Sequence, residues 1–547
     1  MTGVQISESA TQIAKTRSAA RFVKSARGLW PWLAAMASGC LAAFCFPRFD
    51  QEWLCWIALT PLICAVWFSP RRARRQWLRD AALGYVAGIV FFTITFGWLS
   101  SLGILFGELW LRFLPFILSF YLGLYFAAWG WFIGLFRNEE FANSRRNLGV
   151  GFCGACAWVG LEWIRGWLFS GFGWNGLGVA LHADLPMIQI TAFTGVAGLS
   201  FLIAFSNLMI VLIARRIGGE IGPTFAKRIR WEFSFSVALL VLVFSYGIRT
   251  LFRAGAAPAA SLYVAAVQPN IPQSEKFDSS FEDKIFARLD SLTTFAAAAQ
   301  PQLILWPEAA TPRGIWDDEI NYRFVINQAR RGDFALLIGT LDSDLQLGEV
   351  YNVAALLTDR GAHAKTYRKI HLVPFGEYMP LRHSFPLFAM IAGELVPGDI
   401  TPGRDFHPLD LPSPRVKVAP LICFEDTLGD LTRRFVANGA QVLINITNDG
   451  WFLQSAGSEQ HLANAVFRAV ENRRPLVRCA NTGVTCSVDP FGRVDRWLKP
   501  FEQGFAARQI PIPDTLDTTF YTRHGDLFSI ACAAAACGCL LLRARRR

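Results

Sequence analysis

The sequence predicts a polytopic α-helical membrane domain of about eight transmembrane helices joined to an extracytoplasmic α/β domain. Three observations predict it. Of 547 residues, 53% are hydrophobic and only 17% charged, more apolar than an ordinary water-soluble domain. The apolar residues fill the first half, thin out near Ala260 and return at the end of the chain. From Ser261 the pattern changes to short apolar runs separated by polar stretches, which is the pattern of strands mixed with helices.

A span needs about 20 largely apolar residues. Seven runs qualify before Ala260: 29–46, 53–68, 81–107, 113–136, 148–167, 185–214 and 233–251. An eighth covers 527–542. The second is short and fits a tilted or re-entrant segment. Cations mark every second loop. Lys15, Arg17, Arg21, Lys24 and Arg27 precede the first run; Arg71, Arg72, Arg74, Arg75 and Arg79 follow the second. Arg137, Arg145 and Arg146 follow the fourth, and Arg215, Arg216, Lys227, Arg228 and Arg230 the sixth. The chain ends in Arg543, Arg545, Arg546 and Arg547, whereas 166–186 has no Lys or Arg. The positive-inside rule puts the cationic loops and both termini in the cytoplasm, so 260–526 falls outside. The expected divisions are a cytoplasmic tail (1–28), a membrane domain of seven helices (29–255), a periplasmic catalytic domain (256–522), and a C-terminal transmembrane helix with a basic tail (523–547).

The formal charge of +11 follows these topology signals, and nucleic acid is not an expected partner. The twelve cysteines fall mostly in apolar runs, where Cys behaves as a small hydrophobe. Cys153 and Cys156 form a CxxC without histidines at ligand spacing, so neither a metal nor a disulfide framework is expected, and no cofactor. Ala37-Ser38-Gly39-Cys40 resembles a lipoprotein cleavage box, but the apolar run continues past it, so it reads as part of the first span. Gly171-Phe172-Gly173-Trp174-Asn175-Gly176 fits GxGxxG yet follows a membrane helix rather than a strand, which argues against nucleotide binding.

In the second half, strands are expected at 261–268, 302–306, 335–340, 351–358, 416–423, 442–447, 476–480 and 484–489. Helices are expected near 281–299, 318–331 and 458–472, and a tight turn at Asp359-Arg360-Gly361. Glu308, Lys369 and Cys423 lie just past strands, where side chains converge on a crevice. A carboxylate can take the thiol proton, and an ammonium favours a thiolate and a developing oxyanion. Together they form an acyl-transfer set. Glu162 and Arg165, three apart on an apolar helix, can pair. His371 and His461 read as hydrogen-bonded packing residues, and Cys479 and Cys486 as neighbouring-strand core positions whose pairing is open.

Four motifs sharpen this: Ala266-Val267-Gln268-Pro269-Asn270, Trp306-Pro307-Glu308-Ala309-Ala310, His371-Leu372-Val373-Pro374-Phe375-Gly376-Glu377 and Asn448-Asp449-Gly450-Trp451-Phe452. They resemble the nitrilase, or carbon–nitrogen hydrolase, superfamily. With Glu162-Trp163-Ile164-Arg165-Gly166-Trp167, nearly the whole chain resembles the apolipoprotein N-acyltransferase family. The resemblance implies a nitrilase-like sandwich in which Glu308 is the general base, Cys423 the nucleophile and Lys369 a stabiliser of the tetrahedral intermediate. It makes Glu377 and Glu425 supporting carboxylates and places Phe424 and Trp451 at the site; Phe424 stands where many members have Tyr. It implies a ping-pong reaction through an acyl-thioester in the bacterial inner membrane. The donor would be a phospholipid, typically phosphatidylethanolamine, and the acceptor the diacylglyceryl-cysteine of an apolipoprotein; a monomer is expected. Apolar loops at 387–395 and 450–453 are expected to dip toward the membrane as gates. A membrane-tethered amidase acting on a small amide would use the same three residues with water as acceptor. A transporter or receptor would need none of them.

Overall fold

The computed structural model describes residues 28–70, 75–137, 143–219, 231–253, 260–344, 346–379, 399–513 and 517–545. The N-terminal tail to residue 27, the cationic positions Arg71, Arg72, Arg74, Lys227, Arg228 and Arg230, and the 387–395 loop lie outside them.

The apolar runs fold as helices α1 (Gly28–Phe44), α2 (Thr60–Phe68), α3 (Gln76–Thr95), α4 (Leu114–Gly134), α5 (Ser144–Arg165), α6 (Ala197–Gly219) and α7 (Trp231–Arg253), with a C-terminal helix at Leu527–Arg545. Five described helices are long and apolar enough to cross a membrane. With α1, the broken α2 segment and the 22-residue α5, the helix count is close to the eight expected.

Three of the expected runs are broken; 81–107 leaves its helix after Thr95 for a 3-10 turn, Gly97–Ser101, and a short turn, Leu102–Leu105. Residues 53–68 form a 3-10 turn, Glu52–Trp56, before the nine residues of α2. Asn207 of α6 satisfies the backbone freed there: its amide donates to Cys55 O (2.8 Å) and its carbonyl accepts from Leu59 N (2.9 Å). Inside a membrane such breaks persist only with partners of this kind. The run 185–214 starts with two short turns, Leu185–Ile188 and Thr191–Thr194, and the long helix begins only at Ala197. Pro186 opens the first turn and Gly195, at φ 63°, ends the second. These turns meet the α/β domain: Gln189 donates to Phe491 O at 2.9 Å and Arg473 donates to Gln189 Oε1 at 2.7 Å. Glycine sets the closest packing in the bundle. A Cβ on Gly88 of α3 would lie 2.8 Å from Gly123 Cα of α4, so the helices touch backbone to backbone, the usual route to tight packing without a hydrophobic drive.

The second half is a sandwich of two six-stranded sheets, in the orders β12-β1-β2-β3-β4-β5 and β11-β10-β9-β8-β7-β6. In the first, β1 (Ala260–Gln268), β2 (Leu303–Leu305) and β3 (Ala335–Asp344) run parallel; β4 (Glu349–Thr358), β5 (His363–Arg368) and, at the other edge, β12 (Gly504–Ile512) run antiparallel to their neighbours. In the second, β7 (Val416–Ile422), β8 (Val442–Thr447) and β9 (Leu476–Ala480) are parallel, flanked by antiparallel β6 (Leu409–Leu411), β10 (Cys486–Val488) and β11 (Val494–Arg496). The sheets pack face to face: the Cys479 thiol of β9 reaches Val267 O of β1 at 3.4 Å. Cys486 pairs in register with Arg478, one residue from Cys479, so the two cysteines face opposite sides of the sheet, and both are free. Helices α8 (Glu282–Ala298) and α9 (Glu319–Ala329) cover the first sheet through Leu289, Leu292, Ala296 and Val325. Helices α10 (Gly429–Ala437) and α11 (Gly457–Asn472) cover the second. Helix α11 is buried along nearly its whole length, because the membrane half lies on its far side.

The eight expected strands are present, β8 and β9 with the expected bounds and the other six with shifted ends. Strands β5, β6, β11 and β12 and helix α10 were not expected. β5 reads His-Ala-Lys-Thr-Tyr-Arg and is mostly exposed; it is an edge strand, and edges carry charge. β12 holds Pro511 and mixed burial, which its place at the opposite edge tolerates. The turn at Asp359–Gly361 joins β4 to β5 with positive φ at all three residues.

Candidate active site

Each candidate residue follows the C-terminal end of a strand. Glu308 lies three residues past β2, Lys369 one past β5, and Cys423 one past β7. Gly339 of β3 lets the Glu308 turn approach, since a Cβ there would lie 2.5 Å from Glu308 Cα.

Glu308 and Lys369 are 7% and 1% exposed. The Lys369 ammonium donates to Glu377 Oε1 at 2.9 Å and reaches Glu308 Oε1 at 3.5 Å. Burial alone would strip its proton; the charges of Glu377 and Glu308 outweigh that and hold its pKa above the usual lysine value. Asn352 of β4 ties the two carboxylates together, donating to Glu308 Oε1 (2.8 Å) and Glu377 Oε1 (2.9 Å). The other Glu308 oxygen accepts from Asn448 N at 3.1 Å. Glu377 Oε2 accepts from Val373 N at 2.8 Å, which closes its own turn.

Cys423 begins a 3-10 turn, Cys423–Thr427, with φ 51°, a left-handed conformation that non-glycine residues adopt at a cost. Its thiol is half-buried. Burial first, then the charge of Glu308, pushes its pKa well above the usual thiol value; Lys369 and the Thr447 hydroxyl pull the other way. The resting sulfur is therefore a thiol beside a carboxylate and an ammonium whose charges it feels. Glu425 holds both flanks of this centre. It accepts from Ile422 N (2.8 Å), just before the Cys423 turn, and from Ile370 N (2.7 Å), His371 N (3.1 Å) and Tyr367 OH (2.8 Å), around Lys369. Burial lifts its pKa to about 7 against those donors.

Beneath Cys423 lies a charged net without solvent contact. Its carbonyl accepts from Asn445 Nδ2 (3.0 Å) and meets His461 Nε2 (3.2 Å). His461 also contacts Asp426 (2.8 Å) and Asp449 (3.0 Å), and Arg478 bridges the same two aspartates. The expected packing role for His461 fits this; it is held on both ring nitrogens.

The site faces the membrane half through aromatic rings. Phe424 stacks on Phe172 (6.1 Å, 7°) and Trp174 (5.8 Å, 15°), both from the loop after α5, and on His371 (5.7 Å, 25°). The 450–453 segment lies in a 3-10 turn, Asp449–Phe452. The Trp451 carbonyl accepts from Ser101 Oγ at 3.0 Å, and its ring stacks on Phe106 at 6.2 Å. Glu162 and Arg165 do not pair as expected. Glu162 accepts from Trp158 Nε1 (2.8 Å) and Leu177 N (2.7 Å), whereas Arg165 donates to Trp174 O (3.1 Å) and lies over the Phe92 ring. A backbone donor, Leu177 N, and a backbone acceptor, Trp174 O, in the stretch after α5 outcompete the partner one turn away.

Three residues at the site escaped the sequence reading. Lys276 is 1% exposed and donates to Glu308 O at 2.8 Å; burial brings its pKa down to about 8. Asn352 is the lone amide in the apolar strand Val350-Tyr351-Asn352-Val353-Ala354, a pattern that could have marked it. Gln460 looks like a solvent-facing helix residue in sequence. Among the described residues, no cluster of His, Cys, Asp and Glu could hold a metal.

The sandwich and the thiol at its strand ends belong to a known class: the carbon–nitrogen hydrolase family model matches residues 263–518. The preceding half matches the apolipoprotein N-acyltransferase N-terminal domain over residues 38–209. An apolipoprotein N-acyltransferase of Geobacter metallireducens is 34% identical over 94% of this chain and 96% of its own length. Those of Rickettsia bellii (29%, over 91% and 94%) and Chlorobaculum tepidum (28%, over 94% and 97%) are similar over comparable spans. The chain belongs to the apolipoprotein N-acyltransferase family. Among solved structures, an amidase of the nitrilase superfamily from Nesterenkonia AN1 is 18% identical and covers 47% of this chain and 94% of its own, with a TM-score of 0.36, a likeness too weak to add to the family match.

Proposed function

We propose that the chain transfers an acyl chain from a membrane phospholipid, through a thioester on Cys423, to the α-amino group of the diacylglyceryl-cysteine of an apolipoprotein. One observation carries the mechanism: the Glu308–Lys369–Cys423 centre sits directly on the membrane helices, with Phe424 stacked on Phe172. Pulling a lipid chain into water costs about 0.8 kcal/mol per CH₂, so a sixteen-carbon chain would cost about 12 kcal/mol. A centre resting on the bundle lets the tails stay in lipid while the ester reaches the sulfur.

In the first half-reaction the Cys423 proton moves to Glu308 as sulfur attacks the ester carbonyl. The oxyanion of the tetrahedral intermediate faces the Lys369 ammonium. Collapse breaks the ester C–O bond, Glu308 returns the proton to the leaving glycerol oxygen, and lysophospholipid departs. In the second, the acceptor amine attacks the thioester and gives its proton to Glu308; the C–S bond breaks and the thiolate is reprotonated, leaving an amide. A resting thiol with a raised pKa suits removal of its proton during attack rather than before it. Glu377 and Asn352 fix Lys369 against Glu308, Glu425 fixes both flanks, and Phe424 and Trp451 line the approach from the bilayer.

This reading divides the chain at residues 28, 255 and 522. It places the protein in the inner membrane with the sandwich on the periplasmic side, a placement the alternating cations support, and takes phosphatidylethanolamine as donor and a monomer as the working unit. Proteoliposomes with phosphatidylethanolamine and a diacylglyceryl-cysteine peptide should yield N-acylated peptide and lysophospholipid in equal amounts. Release of ammonia from a small amide with no N-acylated peptide would instead support the amidase reading.

A further inference from the structure

Gln460 belongs to α11 of the sandwich, yet its side chain bonds only to the membrane half. Oε1 accepts from Asn175 Nδ2 (2.9 Å), Trp98 Nε1 (3.1 Å) and Trp174 Nε1 (3.2 Å). Nε2 donates to Pro47 O (2.7 Å) and Thr95 O (2.9 Å). The residue is 2% exposed. Two amide hydrogens meet two carbonyls, and one oxygen meets three N–H donors, so every bonding direction is used. A flipped amide would set hydrogens against three donors. A carboxylate would set lone pairs against two carbonyls. The socket accepts glutamine in one orientation.

Its five partners come from separate places at one end of the bundle: the turn after α1, the end of α3, the 3-10 turn Gly97–Ser101, and the loop after α5. One turn along α11, Asn464 donates to Asn175 Oδ1 at 3.0 Å and extends the seam. The residue beside Gln460 is His461, whose Nε2 meets the Cys423 carbonyl at 3.2 Å. Trp174, a partner of Gln460, also lies over His461 (5.2 Å) and Phe424 (5.8 Å). Gln460 and the residue that touches the Cys423 turn are thus neighbours on one buried helix.

We propose that Gln460 is a positioning residue for the phospholipid half-reaction, locking the outer ends of the membrane helices to the nucleophile turn so that a bilayer-held ester meets the Cys423 sulfur. This rests on the acyl-transfer reading above. It distinguishes two kinds of donor. A phospholipid is held by the bundle, so its reach to Cys423 depends on the socket. A small water-soluble ester reaches Cys423 from solvent and depends only on the sandwich.

The test uses the full chain in proteoliposomes and follows acyl-Cys423 by intact mass, with phosphatidylethanolamine or p-nitrophenyl acetate as donor. Gln460→Met removes all five bonds at similar volume, Gln460→Glu removes two donors, and Trp98→Phe removes a single N–H. The expected result is a loss of at least tenfold in kcat with phospholipid for Gln460→Met, with p-nitrophenyl acetate within twofold of wild type. Trp98→Phe should show the same split at about threefold, so the inference survives a Gln460→Met that fails to insert. Variants that match an active wild type on phospholipid, or that lose both donors equally, overturn the inference alone. A wild type that phospholipid never acylates, although p-nitrophenyl acetate does, overturns the acyl-transfer reading and this inference with it.

Discussion

The two halves of the molecule solve the same packing problem with different means. In the sandwich, apolar strands bury against each other and charges are drawn to the site and to the net under it. In the bundle, lipid removes the hydrophobic drive between helices, so contacts depend on small residues such as Gly84, Gly88 and Gly123 and on amides that satisfy broken backbone, as Asn207 does. The polar chemistry that joins the halves lies where the two regimes meet, at Gln460, Asn175 and Arg473. The Glu308–Lys369–Cys423 centre sits on that boundary.

Removing the nucleophile should have the largest effect. Cys423→Ala should lower acyl transfer by at least about 10⁴-fold with the fold intact, as judged by circular dichroism in detergent. Arg478→Met should come next, and through stability. It leaves the two buried carboxylates of Asp426 and Asp449 to share His461 alone, which costs about 3–5 kcal/mol; proteolysis should clear the sandwich while the bundle stays in the membrane. Glu308→Gln should lower transfer about 10²–10⁴-fold, with a second signature. The Glu308 charge raises the Cys423 pKa, so the variant's thiol should titrate lower and react with iodoacetamide faster at neutral pH than wild type. Lys369→Met should move that titration upward. Unchanged alkylation profiles would uncouple the three groups. Gly88→Val in the bundle meets the α4 backbone and should cost about 1–3 kcal/mol, read as a lower midpoint for loss of helicity in detergent. The exposed Lys365–Asp410 pair marks the other end of the scale: Lys365→Ala should leave the melting temperature unchanged.

The sequence made legible whatever has a period or a long apolar run. The parallel strands β7, β8 and β9 are largely apolar because both faces are buried, each broken by one polar residue, Lys417, Asn445 or Arg478; Glu308 and Cys423 are visible at the ends of expected strands, whereas Lys369 follows the unexpected β5 and was legible through its motif. Edge strands were not legible, since β5 and β12 carry the charge and proline that also mark loops. The 185–194 stretch is apolar enough for a span, yet it turns because it packs against the sandwich rather than lipid. The Glu162–Arg165 spacing permits a pair, but the backbone at Trp174 and Leu177, folded back over the helix end, offers better partners. Gln460 was opaque for a stronger reason: its five partners lie 285–413 residues away in the chain, and nothing local distinguishes it from a surface glutamine.

The most direct test of the account is intact-mass analysis of wild type and Cys423→Ala after incubation with phosphatidylethanolamine. The account predicts that wild type gains the mass of one acyl chain, that the mutant does not, and that a diacylglyceryl-cysteine peptide discharges the adduct. A folded wild type that gains no mass, or a Cys423→Ala protein that gains the same mass, would contradict it.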